Sequence, residues 1–328
     1  MAAARWAVDV YAWEPGAAEW AYLIGLLPAD EAERVCHFVF RDDQKRALVS
    51  RLMQRRCAQE VLCVRGAASV PIGRTKGGKP FVRAAVARPA AAPNFNFNVS
   101  HEGAWVVLAS EPSLLVGVDV AAPQEARRRR PPPDGSPAGA IGGQGGLGTG
   151  GAGGARLAQL FDSLKTSLSA KEWSFVRSRP TEPEQEAAFR QLWSLKEAYI
   201  KARGDGLAFS PLSRAEFEIG VGTATGRVDG EELRDWSFAL DRLPGDHWVS
   251  VARGPPAAMK DELGEFAATM ARPHLSEAEC AAAHAAPRGG WELRQIEAVL
   301  TNENVLKFIE TYALGSIGVV SCPASFQR

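Results

Sequence analysis

Residues 193–207 read WSLKEAYIKARGDGL, and the fold is best approached from this stretch. On a helix, which turns by about 100° per residue, Glu197 and Lys201 lie one turn apart on the same face. Leu192 and Tyr199 lie on the opposite face, where they can pack against a core. A Glu–Lys pair at this spacing stabilises many surface helices by only ~0.2–0.5 kcal/mol. The helix alone therefore favours an ordinary surface pair, and the rest of the chain must show whether it is half of an active site.

The composition is that of a globular protein of about two domains. The chain has 328 residues, of which 46% are hydrophobic, and its 38 Lys and Arg residues balance 38 Asp and Glu residues. The zero formal charge gives no reason to expect a nucleic-acid partner. The five cysteines form no C-x-x-C pair, so neither a disulfide framework nor a zinc site is predicted.

No apolar run approaches the ~18 residues of a membrane helix. Residues 1–13 are too interrupted by charge for a secretory signal, so we expect a cytoplasmic protein with no membrane partner.

Residues 94–101, NFNFNVSH, predict a strand with two different faces. Phenylalanines and a valine alternate with asparagines, so one face is apolar and the other is polar. Residues 105–109 and 114–120 predict a β-hairpin that follows this strand. The second strand of the hairpin is apolar apart from Asp119. A carboxylate in such a strand needs a partner if it is buried, and the alternative is an edge-strand Asp that faces water.

Two basic stretches allow more than one interpretation. Residues 74–80, RTKGGKP, form a glycine turn with three cations, which could hold a phosphate or could be an ordinary cationic turn. Residues 28–63 are predicted to be helical, and the part from 41 to 56 carries six Lys and Arg side chains. These six cations form either a solvated helix face or a surface for an acidic partner.

Residues 124–155 interrupt the pattern with an arginine run, a proline run and a glycine-rich run. Such a composition cannot pack a core, so we predict a disordered insert. Residues 146–151 within it match G-x-G-x-x-G. That motif indicates dinucleotide binding only between a strand and a helix, and we reject it here.

After the insert, the pattern is first helical and then strand-like. Ser169, with Glu172 three residues later, predicts a capping box at a helix start, and a further helix is predicted over residues 183–203. Short alternating segments up to residue 256 predict an antiparallel sheet. In the tail beyond them we predict only a helix within residues 287–320.

Taken together, the motifs resemble those of a known family. Residues 117–119, GVD, and residues 193–201, WSLKEAYIK, are similar to the paired signatures G-x-D and W-x-x-K-E-x-x-x-K of the Sfp-type 4′-phosphopantetheinyl transferases. The segments RTKGGKP, NFNFNVSH and HWVSVARGPP resemble the animal-type members of that family. The resemblance covers about residues 5–256 apart from the insert, and its specificity comes from the order and spacing of the whole set.

The resemblance implies an α+β fold, built as a pseudo-twofold pair of similar halves, each a small antiparallel sheet packed with helices. The halves would be residues 1–112 and 113–256, and residues 257–328 would be a C-terminal extension outside the family pattern. The implied reaction moves 4′-phosphopantetheine from coenzyme A to a serine of an acyl or peptidyl carrier protein and releases 3′,5′-ADP. A site between two halves of one chain also implies a monomer.

By position, the resemblance makes Asp119 and Glu197 ligands of Mg²⁺ on the coenzyme A pyrophosphate. Glu197 would also help to deprotonate the carrier serine, directly or through a water, and Lys201 would neutralise charge on the pyrophosphate. Many bacterial members carry a third acid in the strand motif, where this chain has Ala121, and we predict that Glu102 supplies it. The presence of all three catalytic residues argues against the alternative, a non-catalytic coenzyme A or nucleotide-binding protein that keeps the fold.

The same resemblance predicts that cations and strand-end polar groups hold the rest of coenzyme A. The cations for its phosphates, including the 3′-phosphate, are Arg34, Arg74, Lys79 and, as a further neighbour, Lys196. The strand-end contacts to the nucleotide are Asn98, Ser100 and His101. Carrier proteins are typically acidic, which suits residues 41–56 as a docking face.

Overall fold

The computed structural model describes residues 3–64, 70–123, 152–287 and 289–300. The insert predicted at 124–155 therefore lies outside the described residues up to position 151, and from Ala152 on the chain belongs to a helix instead. The helix predicted within residues 287–320 lies outside them beyond position 300. Within the described ranges, every helix is too short or too polar to cross a membrane.

The N-terminal half combines helices with an antiparallel sheet and a small hairpin. Its helices are α1 (Ala17–Gly25), α2 (Ala29–Cys36) and α3 (Arg41–Leu62). Its strands are β1 (Arg5–Asp9), β2 (Ile72–Arg74), β3 (Pro80–Val82), β4 (Asn96–Glu102) and β5 (Trp105–Glu111). Strand β5 lies between β1 and β4 in the sheet, while β2 and β3 pair with each other.

The C-terminal half has a larger antiparallel sheet. Its helices are α4 (Ala152–Ser163), α5 (Ala170–Arg177) and α6 (Glu182–Arg203). Its strands are β6 (Leu115–Ala121), β7 (Ala215–Ile219), β8 (Thr223–Val228), β9 (Glu231–Glu232), β10 (Ser237–Leu243) and β11 (His247–Gly254). The strand order is β6-β11-β10-β8-β7, with β9 beside β8. The predicted α+β class, small antiparallel sheets packed with helices, is confirmed.

Each half buries one face of a 22-residue helix against its sheet. Helix α3 places Leu48 and Met53 in a core with Phe97 of β4. Helix α6 places Leu195 and Tyr199 in the core of the other half. Burying a side chain of this size stabilises a fold by about 1.5–3 kcal/mol. The apolar face predicted behind Glu197 and Lys201 therefore does fix helix α6 to its sheet.

Helix α6 begins and ends where its sequence contains the appropriate capping residues. Thr181 and Glu184 form a capping box at its start. Ser169 and Glu172 form the capping box predicted at the start of α5. Helix α6 ends at Gly204, whose φ of 90° lies in the left-handed region that glycine adopts at low cost.

The hairpin predicted from residues 105–109 and 114–120 is wrong, although both segments are strands. Strand β5 pairs with β1 and β4, whereas β6 pairs with β11 in the other sheet. The observed hairpin joins β4 to β5 through Gly103, whose φ of 57° suits a tight turn. Because both edges of β5 are occupied, the chain crosses to the second sheet after Glu111.

The edge strands β4 and β6 meet through side chains instead of a backbone ladder. Alternate residues of β4 accept hydrogen bonds from backbone N–H groups of β6 or just beyond it, each time from a residue 20 positions later. The pairs are Asn96 with Val116 (3.0 Å), Asn98 with Val118 (3.0 Å), Ser100 with Val120 (3.4 Å) and Glu102 with Ala122 (2.5 Å). We call this row of contacts the side-chain seam. An edge strand would otherwise leave backbone groups unpaired, so the polar face of NFNFNVSHE joins the two halves.

The C-terminal extension packs against both halves. Strand β12 (Glu292–Leu293) pairs in parallel with β1 of the first half. Helix α7 (Glu277–Ala285) lies against the second half, where Arg253 of β11 donates a hydrogen bond to its backbone (2.7 Å). Before both elements in the chain, Phe266 of the extension is fully buried beside Phe81 of β3 in the first half. The extension therefore connects the halves from outside.

Candidate active site

Strand β6 and helix α6 touch at a glycine. A Cβ atom at Gly117 would lie 2.0 Å from the carbonyl oxygen of Ala198 and 2.3 Å from the backbone nitrogen of Ala202. Because both are backbone atoms, only glycine allows the helix to lie so close to the strand. The strand motif and the helix motif are thus two sides of one packing contact. It brings Asp119 next to the Glu–Lys face of the helix.

Asp119, Ser100 and Lys201 form a closed triangle of hydrogen bonds, which we call the catalytic triangle after the roles predicted for Asp119 and Lys201. Lys201 Nζ donates to Asp119 Oδ1 (2.5 Å) and to Ser100 Oγ (3.0 Å). Ser100 Oγ donates to the same Asp119 oxygen (2.9 Å). The Asp119 side chain is 8% exposed, so the alternative of an edge-strand Asp that faces water is wrong. Lys201 is 30% exposed and keeps part of its surface in solvent.

The carboxyl groups of Asp119 and Glu197 both resist ionisation. Burial raises the pKa of Asp119, and the charge of Lys201 and the hydrogen bond from Ser100 oppose that shift. Burial and the neighbouring Asp119 raise the pKa of Glu197, and Lys201 again opposes the shift. A cation close to both carboxylates would favour their charged forms. A further positive charge beside Lys201 would therefore stabilise the charged forms of both carboxyl groups.

The available donors fit Mg²⁺. Among the residues that the structure describes, no group of three or more His, Cys, Asp or Glu side chains is arranged to hold a metal ion. Mg²⁺, however, usually binds through one or two carboxylates and completes its octahedron with waters and substrate phosphates. Asp119 and Glu197 meet that requirement.

Glu102, the predicted third metal ligand, is engaged at another place. Its Oε2 accepts the hydrogen bond from the Ala122 N–H (2.5 Å), the last contact of the side-chain seam. Its charge adds to burial in raising the pKa of Asp119, so the two carboxylates are neighbours. Because one oxygen is bound to the backbone, the structure does not assemble the predicted three-carboxylate site. A metal-ligand role of Glu102 stays a prediction.

Lys196, the predicted further phosphate neighbour, faces the protein core in this structure, and its contact to a phosphate stays a prediction. The side chain is fully buried. Its Nζ donates to Glu172 Oε2 (2.7 Å), to the Leu212 carbonyl (3.2 Å) and to the Ala215 carbonyl. The buried ion pair ties α6 to α5 and to the start of β7. The motif contains two lysines, and its spacing does not reveal that the first one faces the core.

Asn98 and Lys79 were predicted to contact coenzyme A, but both are bound to the backbone. Asn98 is 3% exposed and forms the second contact of the seam. Lys79 is 3% exposed, and its Nζ donates to the carbonyl oxygens of Val116 (2.6 Å) and Lys201 (3.2 Å). Burial lowers the pKa of Lys79 to about 7. In this structure both side chains bind the protein's own backbone, and their contacts to coenzyme A stay predictions.

The predicted cations Arg34 and Arg74 lie together, joined by Arg51 and Arg55 around Glu31. Arg55 binds both carboxylate oxygens of Glu31 (2.9 and 3.0 Å), and Arg51 lies 3.5 Å from it. Burial lowers the pKa of Arg51 and of Arg74, and repulsion within the group adds to both shifts. We call these four residues the arginine cluster. Arg51 and Arg55 were not among the predicted site residues, although their i, i+4 spacing on α3 places them on one face.

His101 connects the arginine cluster with the catalytic triangle electrostatically. Its ring is exposed, yet the surrounding protein, and then the charges of Arg46 and Lys201, lower its pKa to about 4. Arg51 of the cluster acts on His101 in the same direction. His101 is therefore neutral at physiological pH, and cationic groups surround it. Charges of both the cluster and the triangle therefore act on His101.

Three of the six cations predicted as a docking face in helix segment 41–56 are buried, whereas Arg41 is exposed. Lys45 is 1% exposed, Arg46 is 8% exposed and Arg55 is 2% exposed. Arg46 donates to the carbonyl of Gly103 (2.6 Å) and so supports the turn after β4. In this structure these three side chains bind groups of the protein itself.

Two family models match the chain, one after the other. The model described as "4′-phosphopantetheinyl transferase, N-terminal" matches residues 11–113, and the one described as "4′-phosphopantetheinyl transferase superfamily" matches residues 115–252. The chain belongs to the 4′-phosphopantetheinyl transferase family. It is therefore a transferase, and its catalytic triangle takes Ser100 from the first matched segment and Asp119 and Lys201 from the second.

Similar proteins cover most of this transferase. It is 34% identical to the L-aminoadipate-semialdehyde dehydrogenase-phosphopantetheinyl transferase of Rattus norvegicus, over 78% of this chain and 76% of the relative. It is 35% identical to a phosphopantetheinyl transferase of Thraustochytrium sp., over 80% and 82% of the two chains. A 4′-phosphopantetheinyl transferase of Bacillus subtilis is 26% identical over 57% and 64%. The C-terminal extension lies beyond both matched family segments.

Proposed function

We propose that this transferase moves the 4′-phosphopantetheine group of coenzyme A to a serine of an acyl or peptidyl carrier protein and releases 3′,5′-ADP. The observation that carries the proposal is the catalytic triangle of Asp119, Ser100 and Lys201 beside Glu197, at the junction of the two halves. Phosphoryl transfer depends mostly on positioning and on charge neutralisation. Two carboxylates and an ammonium in contact supply both.

In the proposed step, the carrier serine Oγ attacks the pyrophosphate phosphorus that bears the pantetheine arm. A new O–P bond forms, the bridging P–O bond breaks, and the leaving group departs as 3′,5′-ADP. Glu197 accepts the serine proton, directly or through a water. In the metal-free protein, burial and the neighbouring Asp119 raise the pKa of Glu197, which favours uptake of a proton at this carboxylate. Lys201 neutralises negative charge on the pyrophosphate.

Mg²⁺ is the proposed cofactor, with Asp119 and Glu197 as its protein ligands. When bound, the ion would neutralise the pyrophosphate oxygens. The chain itself contributes orientation. Ser100 and Lys201 both bind Asp119 Oδ1, so this carboxylate is fixed before any ligand arrives.

The arginine cluster and His101 are the proposed site of the 3′-phosphate. Burial lowers the pKa of Arg51 and of Arg74, and the like charges in the cluster lower both values further. A phosphate would relieve that repulsion and accept charge-assisted hydrogen bonds from the guanidinium groups. Arg34 is 65% exposed and pairs with the similarly exposed Asp30 (3.2 Å), so it can turn to a ligand at little cost.

The proposed acceptors are acidic carrier proteins. The relative from Rattus norvegicus is named for aminoadipate-semialdehyde dehydrogenase, so we include a carrier domain of that enzyme type beside carriers of fatty acid and polyketide synthesis. Exposed cations at the site, such as Arg34, would attract an acidic surface. We place the reaction in the cytoplasm and propose that a monomer suffices, since one chain supplies the whole catalytic triangle.

The test is the transfer itself. The purified protein is incubated with coenzyme A, Mg²⁺ and several apo carrier proteins, and intact-mass spectrometry follows the carriers. We expect the phosphopantetheine mass increment on the carrier serine, dependent on Mg²⁺ and lost in Glu197→Gln. Lys171→Met, which changes an exposed lysine on α5, serves as the control and should retain activity. Coenzyme A binding without modification of any carrier would instead identify a non-catalytic binding protein.

A further inference from the structure

We propose that Lys79 is a positioning residue that holds strand β6 and helix α6 in the arrangement in which Asp119 and Lys201 meet, and that Phe266 of the C-terminal extension completes its site. The inference rests on the proposed function, because it concerns the same catalytic pair. It replaces the predicted role of Lys79 as a phosphate ligand.

One amino group connects the two elements that carry the catalytic residues. Lys79 Nζ donates to the Val116 carbonyl of β6 (2.6 Å) and to the Lys201 carbonyl of α6 (3.2 Å). Val116 precedes Asp119 on the same strand, and Lys201 itself supplies the catalytic ammonium. A shift of either carbonyl would change the 2.5 Å contact between Lys201 Nζ and Asp119 Oδ1.

Lys79 also caps the end of helix α6. The last carbonyl groups of a helix have no partner within it. Here Lys79 binds the Lys201 carbonyl, and the Lys260 N–H of the extension binds the Arg203 carbonyl (2.8 Å). A cation at this end also opposes the negative end of the helix dipole. The end of the catalytic helix is therefore held from the first half and from the extension at once.

The lysine is enclosed on several sides. A Cβ atom at Gly77 would lie 2.0 Å from the Gly204 carbonyl, so the RTKGGKP turn sits directly on the end of α6. Phe266 is fully buried, and its ring centre lies 5.6 Å from Lys79 Nζ. Asp261 Oδ2 accepts a hydrogen bond from the Phe266 N–H (2.7 Å), which fixes the start of the short helical turn that follows Phe266. An enclosed side chain that is bound to two carbonyl groups serves the backbone, not a ligand.

Lys79 can lose its proton and still donate to both carbonyl groups. Burial lowers the pKa of Lys79 to about 7, so both protonation states occur near neutral pH. The ammonium form has three N–H groups, and the neutral amine keeps two, one for each carbonyl. Both contacts are therefore retained in either state.

The decisive variant is Lys79→Met, which keeps the apolar stem and removes the donors. We expect kcat to fall by between about tenfold and about a hundredfold, as for a small misplacement of catalytic groups. The Kd of coenzyme A, measured by calorimetry, should stay within about threefold, a change of under 1 kcal/mol by the usual conversion. Arg74→Met provides the contrast and should weaken coenzyme A binding more than it lowers kcat. Lys171→Met should change neither quantity.

Phe266→Ala tests the second part of the proposal. It should lower kcat in the wild-type background and add little in the Lys79→Met background, because both changes disturb the same contact. The conservative variant Phe266→Leu should recover most of the activity. If Lys79→Met does not fold, Phe266→Ala alone carries both the kinetic and the exchange measurements. A coenzyme A Kd raised at least about tenfold with kcat unchanged would restore the phosphate-ligand role and overturn the proposal.

Amide hydrogen exchange provides a measurement that needs no turnover. In Lys79→Met, or in Phe266→Ala if that variant must replace it, we expect faster exchange in β6 and in the last turn of α6, and unchanged exchange in α3. Unchanged exchange in β6 and α6 would overturn the proposal even in a protein that transfers nothing. Failure of the proposed function would appear separately, as absence of transfer by the wild type.

Discussion

The hydroxyl of Ser194 lies 2.6 Å from the hydroxyl of Ser250, and both side chains are fully buried. Ser250 stands opposite Asp119 in the register of β11 and β6. Helix α6 thus lies on β11 through a serine pair and on β6 through Gly117. Small residues set the distance between the helix and the sheet, and the catalytic contacts depend on that distance.

Gly117→Ala should disrupt the fold. The added methyl group would lie 2.0 Å from the Ala198 carbonyl oxygen. Because this oxygen belongs to the backbone, no side-chain rotation can relieve the clash. We expect a loss of more than about 3 kcal/mol in the free energy of unfolding, measured in urea, the upper end for overpacking. Gly25→Ala is the matched control, because a Cβ atom there meets nothing within 4 Å, and it should change stability by under about 1 kcal/mol. Equal stability of the two variants would show that β6 and α6 are not in close contact.

Glu197→Gln should abolish transfer and stabilise the protein. Loss of the proposed base should lower kcat by more than about a hundredfold. The pKa of Glu197 is higher in the folded protein than its ordinary value of 4.5 in the unfolded chain. As pH rises, the folded protein therefore keeps the Glu197 proton longer than the unfolded chain does. Its carboxyl group therefore lowers stability as pH rises, and glutamine removes that effect.

The variant should accordingly unfold at a higher urea concentration than the wild type at about pH 8, and the difference should shrink toward about pH 5. Equilibrium unfolding followed by tryptophan fluorescence at both pH values tests this. A variant that is less stable than the wild type at the higher pH would contradict the proposed environment of Glu197.

Asn98→Ala should weaken the side-chain seam without affecting coenzyme A. The substitution leaves the buried N–H of Val118 without its acceptor, at a cost of about 1–3 kcal/mol. Urea unfolding and calorimetry with coenzyme A measure the two effects. Weaker coenzyme A binding at unchanged stability would instead support the nucleotide contact that the sequence suggested.

Lys196→Met should destabilise the protein by about 3–5 kcal/mol, because Glu172 would remain buried and charged without its partner. The double variant Lys196→Met with Glu172→Gln should recover part of the loss, since no unpaired charge remains. Lys171→Met, which breaks the exposed pair with Glu218, is the control and should cost under about 1 kcal/mol. A loss of coenzyme A affinity at full stability would return Lys196 to the phosphate site.

Local sequence was sufficient to predict much of this fold. The strand over NFNFNVSH, the helix that ends at Gly204 and the capping box of Ser169 and Glu172 follow from periodicity and capping rules, which act within a few residues. The proximity of Asp119 to Lys201 came from the paired motifs. These features need no knowledge of distant contacts.

Contacts between distant segments could not be predicted in the same way. Lys196, Lys79 and Asn98 lie in polar motifs that suggest a ligand, yet each is buried and bound to protein groups from another element. Their partners depend on which strand or helix packs against them, and the spacing of residues along the chain does not predict which element that is. The wrong hairpin between β5 and β6 has the same origin, because the edge that each strand offers is decided by the whole sheet.

The side-chain seam ends at Ala122, where Glu102 holds the backbone N–H just before the chain leaves toward the insert. Any pull from the connecting sequence therefore acts on this anchored residue before it reaches the strand that carries Asp119. We therefore expect that the connection between Ala122 and Ala152 can change in length or composition while Asp119 keeps its position. On this reasoning, the junction is the place where we expect foreign sequence to be inserted with the least effect on activity.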